Sequence, residues 1–236
     1  MGNSVFEESN VMNDLAEKGV AKCILFSREE LERIASIVSN IHSKASVASR
    51  EFFLSITSDF LQAQFIEESM SFFKGMIVNK MNGYKLISIT YHVKENNSMS
   101  QVAIHQDWQY VQEPDFNSYT VWTPLCDVDE KNGGLFFFEG SHKVVNQLRG
   151  KGLQNDLTSY SIQNAICYRV SFGESLVFNS RMVHFSPANQ SKKDRYSIGA
   201  AVCKSNAQLF LHQKSDAGID SKEVSDDFYF SFNEFS

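Results

Sequence analysis

Ile104-His105-Gln106-Asp107-Trp108-Gln109-Tyr110 sets one imidazole and one carboxylate two residues apart, and this pair decides how the chain is read. A lone His184 follows 77 residues after Asp107, and Arg195 comes 11 residues after that. Two imidazoles and one carboxylate are the donor set of a facial triad, the usual cradle for non-haem Fe(II) with open coordination positions. Residues 101–107 read as a strand, so His105 and Asp107 are expected to leave the same face. From there both reach one ion at bond lengths of about 2.0–2.2 Å. His184 follows the apolar run Ser175-Leu176-Val177-Phe178-Asn179, a strand expected to close the pocket from its far side. A His-x-Asp pair alone recurs by chance; with a distal His before a turn and an Arg beyond it, the set is much more specific. The competing reading makes His105 and His184 ordinary polar residues at strand ends. Ionisable groups on inward positions of an apolar strand need a partner to offset burial, which favours the metal.

Arg195 lies across the turn 186–194 from His184. If 184–186 and 195–203 form a hairpin, their strands lie about 5 Å apart, and the guanidinium points along the pocket wall beside the metal. A planar fork suits bidentate pairing with a carboxylate, so a diacid co-substrate is expected there. Ser186 and Ser197 share the faces of His184 and Arg195 and are further candidate donors to that carboxylate. The alternative for Arg195 is a surface ion pair with Asp194 or Glu174. Gln106 should point away from the metal and be structural. Trp108 and Tyr110 are candidates for contact with substrate, and packing in the core or at the rim suits them equally. His42, His92, His142 and His212 read as surface or supporting residues rather than ligands.

Outside the site, 42% hydrophobic and 13% aromatic residues in 236 supply a core for one domain, and three prolines argue against disorder. The net charge of −6, with no Lys/Arg run, argues against a nucleic-acid groove. No apolar stretch approaches the roughly 18 residues of a membrane span. The acidic residues Glu7, Glu8, Asp14 and Glu17 occupy the place of a signal peptide's apolar region. Cys23, Cys126, Cys167 and Cys203 are widely spaced, as expected of reduced thiols in a cytoplasmic protein.

Residues 1–83 read as mostly helical cover, 84–203 as a β core and 204–236 as a tail. Within the cover, 11–18 is a helix ending at Gly19 and 20–26 a strand-like run. Ser27-Arg28-Glu29-Glu30 is a capping box leading into Leu31, Ile34, Ile37, Val38 and Ile41 at helical spacing. The segments 52–65 and 70–78 add helices or irregular cover. In the core, strands are expected at 84–93, 101–107, 118–125, 134–138, 166–169, 175–179, 184–186 and 195–203. Turns at Asn132-Gly133-Gly134 and Phe138-Glu139-Gly140-Ser141 separate them, a sandwich or jelly-roll pattern. The three phenylalanines 136–138 read as sheet core. The acidic, aromatic tail packs on its own domain, covers the pocket or meets a second subunit; the oligomeric state is not legible.

The stretch 104–110, Trp122-Thr123-Pro124-Leu125-Cys126-Asp127, the segment 132–143, residues 176–186 and Arg195-Tyr196-Ser197-Ile198 together resemble the phytanoyl-CoA dioxygenase family. The likeness covers about residues 84–203, and 19–38 is similar to the family's N-terminal strand and helix. It implies a double-stranded β-helix (jelly-roll, cupin-like) core, mainly β with helical cover, and the cofactors Fe(II), 2-oxoglutarate and O2. Carried over by position, His105, Asp107 and His184 would be iron ligands, Arg195 and Ser186 would bind 2-oxoglutarate, and Trp122 would line the cofactor site. Halogenating relatives lack the carboxylate ligand, and Asp107 is present here. The activity implied is hydroxylation of an unactivated C–H bond in a small molecule, with release of succinate and CO2. Desaturation or cyclisation by the same chemistry is an alternative, as is a jelly-roll module that binds without turnover. A cupin enzyme without oxoglutarate would need a His-x-His pair and a nearby Glu, and the chain has neither. Ligation requires neutral imidazoles, so metal affinity is expected to fall below about pH 6.5.

Overall fold

The computed structural model describes residues 5–44, 59–96, 100–113, 115–144, 148–153 and 155–230. Helix α1 (Ser9–Glu17) stops where expected: Gly19 takes a positive φ of 87°, and its N–H closes on the Asp14 carbonyl at 3.1 Å. A Cβ there would lie 2.1 Å from Met182 Sδ and 2.4 Å from His142 Nδ1, so no other residue fits. Strand β1 (Val20–Cys23) leads to α2 (Arg28–Lys44) through the capping box. Ser27 Oγ accepts from the Glu30 N–H at 3.2 Å and the Ser27 N–H donates to Glu30 Oε2 at 2.7 Å. Lys80, at the end of α3 (Asp59–Lys80), bonds both Glu30 Oε2 (2.7 Å) and the Leu25 carbonyl (2.5 Å), pinning α3 to the start of α2. The expected segment 70–78 and residues 59–65 of the segment 52–65 lie inside α3; residues 52–58 fall outside the described residues.

The core strands are β2 (Tyr84–Lys94), β3 (Val102–His105), β4 (Ser118–Pro124), β5 (Leu135–Phe137), β6 (Ile166–Tyr168), β7 (Ser175–Asn179), β8 (His184–Ser186) and β9 (Arg195–Lys204). They form a five-stranded sheet in the order β1-β7-β4-β9-β2 and a four-stranded sheet in the order β3-β8-β5-β6, all paired antiparallel. The outer face of the larger sheet carries Ile89, Tyr91, Val93, Tyr119, Val121, Val177, Ile198 and Val202. Leu31, Ile34, Val38, Phe73, Met76 and Ile77 of the helices cover it. Trp122, Leu176 and Phe178 face inward and pack with Leu135 and Phe137 of the smaller sheet. The central strands are buried on both faces, which explains their near-continuous apolar runs. This is the jelly-roll arrangement, mainly β with helical cover.

Three expectations are corrected. Strands β8 and β9 do not pair: β8 lies between β3 and β5 in the smaller sheet, β9 between β4 and β2 in the larger one. Arg195 therefore faces His184 across the interior instead of along one hairpin. Strand β3 ends at His105, so Asp107 sits in the irregular chain beyond it. The segment after 204, expected only as a tail, carries strands of its own: a hairpin of β10 (Leu209–Ser215) and β11 (Gly218–Val224), followed by a turn at Phe228–Phe230. Tyr229 is buried there and donates to the Phe210 carbonyl at 2.5 Å, and Lys85 pairs with Asp226 at 2.6 Å. The last described part of the tail thus packs on its own domain. All four cysteines are free thiols, and burial pushes Cys23 and Cys203 up to about 12. Among the described residues no helix is long and apolar enough to cross a membrane.

Candidate metal centre and carboxylate pocket

His105 on β3 and His184 on β8 are direct cross-strand partners, with ring centroids 4.2 Å apart. Each imidazole is turned the same way. His105 Nδ1 donates to the Ala103 carbonyl at 2.9 Å, and His184 Nδ1 donates to the Met182 carbonyl at 3.0 Å. A carbonyl only accepts, so Nδ1 carries the proton and Nε2 presents its lone pair. Both Nε2 atoms lie 3.8 Å from Asp107 Oδ1, and one donor atom from each of the three residues falls within 4.8 Å of the others. One ion with bonds of about 2.0–2.2 Å suits such a cluster. Burial and the neighbouring His105 push the His184 pKa below its usual value, which preserves the neutral form that ligation requires. Phe137 stacks on that ring at 5.6 Å and Phe178 tilts against it at 5.0 Å, so the phenylalanine run is core as expected and also backs the histidine.

Asp107 owes its orientation to contacts that the strand does not provide. Thr120 Oγ donates to Asp107 Oδ2 at 2.6 Å, leaving Oδ1 toward the imidazoles. Arg149 Nε donates to the Asp107 carbonyl at 2.8 Å. Gln106 points away, as expected: its amide donates to the Arg181 carbonyl (2.6 Å) and accepts from Asn155 (2.9 Å).

The inward rungs of the larger sheet then run toward a cationic end. Thr120, Ala201 and Ser88 lie in one row; Trp122, Gly199 and Thr90 form the next; Ser197 and His92, then Arg195 and Lys94, follow. Arg195 is 2% exposed. Its Nη1 donates to Ser197 Oγ (3.0 Å), the guanidinium lies 5.3 Å from the Trp122 ring centre, and Trp122 Nε1 donates to the same Ser197 oxygen (3.1 Å). Both lone pairs of that hydroxyl are thereby used, and its proton is left to donate. Arg195 Nε is buried without a partner, and no described carboxylate pairs with the guanidinium. Asp194 and Glu174 are engaged elsewhere, with the Asn96 N–H and with Lys22. Burial pushes the Arg195 pKa down to about 10. A buried cation lacking its counter-charge is costly, so the site has the chemistry of a receptor for an anion. Ser186 lines the cavity, but its hydroxyl donates to the Gly133 carbonyl at 2.7 Å.

Lys94 carries no sequence motif and His92 reads from the sequence as a surface or supporting residue; both line this cavity. Lys94 Nζ bonds the carbonyls of Ser100, Ser186 (3.2 Å) and Pro187 (2.7 Å), clasping the two sheets together. Burial and Arg195 lower its pKa, while three carbonyl acceptors favour the charged form. Burial, then Arg195, push His92 down to about 3 and hold it neutral. The polar inward face Ser88, Thr90, His92, Lys94, opposite the apolar Ile89, Tyr91 and Val93, was the signal that could have found them. Tyr110 also lines the cavity, with its ring against Tyr229 at 5.0 Å. Trp108 instead packs with the cluster of Leu209, Leu211 and Tyr229 under the C-terminal hairpin. The cavity holds about 180 Å³, small beside the roughly 300–1,000 Å³ of most ligand pockets.

No curated protein sequence matches the chain. Solved structures share its fold at low identity. The non-haem alpha-ketoglutarate-dependent carbocyclase SnoK of nogalamycin biosynthesis is 17% identical, with a TM-score of 0.62 over 89% of each chain. EvdO2 from Micromonospora carbonacea var. aurantiaca, complexed with 2-oxoglutarate, is 13% identical at TM-score 0.60 over 92% of this chain and 93% of its own. HygX from Streptomyces hygroscopicus, with nickel and 2-oxoglutarate bound, is 12% identical at TM-score 0.59 over 84% and 87%. The family model for phytanoyl-CoA dioxygenase matches residues 24–197. On that match the chain belongs to the phytanoyl-CoA dioxygenase family, enzymes that work with Fe(II), 2-oxoglutarate and O2.

Proposed function

We propose that the protein is a hydroxylase within this family, acting on an unactivated C–H bond of a small metabolite or biosynthetic intermediate in the cytoplasm as one catalytic domain. His105 Nε2, Asp107 Oδ1 and His184 Nε2 hold Fe(II); Arg195, with Ser197 and Trp122, receives the far carboxylate of 2-oxoglutarate. Ser186 lines the same wall as a lesser contact. The observation that carries the reading is the buried Arg195 without a counter-ion, beside the Trp122 row. That row is one inward step from the Thr120 row that holds Asp107. One step is two residues, or about 7 Å, a span that suits a five-carbon diacid bridging guanidinium and metal.

Bound there, iron with 2-oxoglutarate and dioxygen supplies the oxidising power that yields succinate and CO2 and breaks the substrate C–H bond. The chain's own residues do the rest. The two Nδ1–H donations hold both imidazoles in the ligating tautomer, and Thr120 keeps Asp107 to a single inward oxygen. Phe137 and Phe178 keep water from His184. Asp107 fills the position that halogenating relatives leave open.

The substrate is best read as small and uncharged. Besides the triad, the cavity wall near Asp107 offers the hydroxyls of Ser88 and Tyr110 and the apolar Phe178, with Thr90 one row further on; both lining cations sit at the other end, with Val102 and Ser186. Tyr110 is the residue we assign to substrate contact, and Trp108 supports it from behind. A CoA moiety is disfavoured by the shortage of basic clusters: of the scattered Lys74, Lys80, Lys85 and Lys94, Lys80 and Lys85 are committed to Glu30 and Asp226, Lys94 is buried, and only Lys74, on α3, is exposed. The test is a turnover assay with labelled dioxygen over a panel of neutral metabolites. Incorporation of one labelled oxygen atom into product supports hydroxylation; product lacking two hydrogens and carrying no label would replace it with desaturation or cyclisation.

A further inference from the structure

A buried ion pair stands directly behind the Asp107 main chain. Arg149 and Glu113 are 3% and 5% exposed at their side chains. They pair through both guanidinium nitrogens, Nη1 to Oε2 at 3.1 Å and Nη2 to Oε1. The third donor, Nε, goes to the Asp107 carbonyl at 2.8 Å, and the Arg149 carbonyl accepts from the Gln109 N–H at 3.1 Å. Residues 106–113 have no helix or strand to hold them, so these four bonds fix the path of the chain just past His105. The C-terminal hairpin braces the pair in turn. A Cβ on Gly150 would lie 1.9 Å from the His212 carbonyl oxygen, and Lys151 and Lys214 exchange main-chain bonds with this region at 2.9 Å. The Phe210 N–H donates to the Tyr110 carbonyl, also at 2.9 Å.

Buried ion pairs are a weak source of stability, because desolvating both charges offsets their attraction. A pair that grips the main chain of the triad's one acidic residue is better accounted for by geometry. We propose that Arg149, locked by Glu113 and buttressed by the β10–β11 hairpin, is a positioning residue that aims Asp107 Oδ1 at the two imidazoles. The proposal rests on the reading of His105, Asp107 and His184 as a metal site.

The test is Mn(II) affinity of the apo-protein, alongside its thermal unfolding, for wild type, Arg149→Lys and the double variant Arg149→Met/Glu113→Leu. Replacing the whole pair by apolar residues of similar volume leaves no buried charge stranded, so the double variant should unfold near the wild-type temperature. It nevertheless loses the donor to Asp107, and its metal affinity should drop about 10- to 100-fold. Arg149→Lys replaces a planar fork by a point charge that cannot hold Glu113 and the Asp107 carbonyl in the same geometry; about a tenfold loss is expected. A merely structural pair would shift unfolding and leave the affinity of the folded protein unchanged. Wild-type affinity in either folded variant overturns the proposal. If the double variant does not fold, Arg149→Lys alone decides. A wild-type chain that binds no Mn(II) overturns the metal-site reading itself, and this inference with it.

Discussion

Thr120→Val isolates the bond that would make Asp107 a one-oxygen ligand. The hydroxyl donates to Oδ2 at 2.6 Å, the length of a strong charge-assisted bond. Hydrogen bonds to charged groups are worth about 1.5–3 kcal/mol. If that energy serves to hold the carboxylate in its ligating pose, metal affinity falls by about 10- to 100-fold, since 1.4 kcal/mol is about a factor of ten. The fold should tolerate the change. Val has the shape of Thr and suits a central strand, and the Asp107 side chain is 22% exposed, so water can replace the lost donor. The stability cost is therefore expected to stay under about 1.5 kcal/mol. Isothermal titration of apo-protein with Mn(II), beside urea unfolding, separates the two effects. Thr120→Ser keeps the hydroxyl and should keep the affinity. Unchanged Mn(II) binding in Thr120→Val would mean that Asp107 is oriented without Thr120.

Two further outcomes follow from the same geometry. Arg195→Met should leave metal binding intact while weakening 2-oxoglutarate by about 2–5 kcal/mol, or more than roughly 30-fold; unaltered 2-oxoglutarate dependence would show that another group holds the diacid. On the acid side, His92, at about 3 folded against about 6.5 unfolded, and the similarly depressed His184 are buried in their neutral forms. The unfolded chain then binds protons that the folded chain refuses. Stability of the apo-protein is complete above about pH 6.5 and declines as pH falls toward the folded values, by up to about 1.4 kcal/mol per unit for each histidine. Denaturant midpoints that stay level between pH 7 and 5 would contradict those burials, and His92→Gln should flatten the slope.

Much of this was legible because local chemistry carried it. The capping box at Ser27 and Glu30, the stop at Gly19 and most strand spans follow from residue patterns a few positions long. The triad residues carry their own chemistry, so their convergence could be read before their geometry. What escaped was set by long-range pairing. Nearness in sequence made β8 and β9 look like a hairpin, whereas residues 187–194 cross from one sheet to the other. Strand β11 has six exposed residues in seven and offers no apolar alternation to betray it. Arg149 and Glu113 are 36 residues apart with no motif between them; only burial makes the pair meaningful. Thr120 was within reach, since it precedes Trp122 by two on a recognised strand and must share its inward face. Trp108 shares the parity of Gln106, and the strand ends at His105, so alternation could not separate its two readings; long-range packing under the C-terminal hairpin decides for the core.

On this reading one metal and one diacid meet between His184 and Arg195. Anaerobic titration of the apo-protein with Fe(II) and then 2-oxoglutarate tests it most directly, through the visible charge-transfer band of the chelate. A saturable band at one iron per chain is expected, lost in Asp107→Ala and needing far more 2-oxoglutarate in Arg195→Met. Tight metal binding with no band at any 2-oxoglutarate concentration would contradict it.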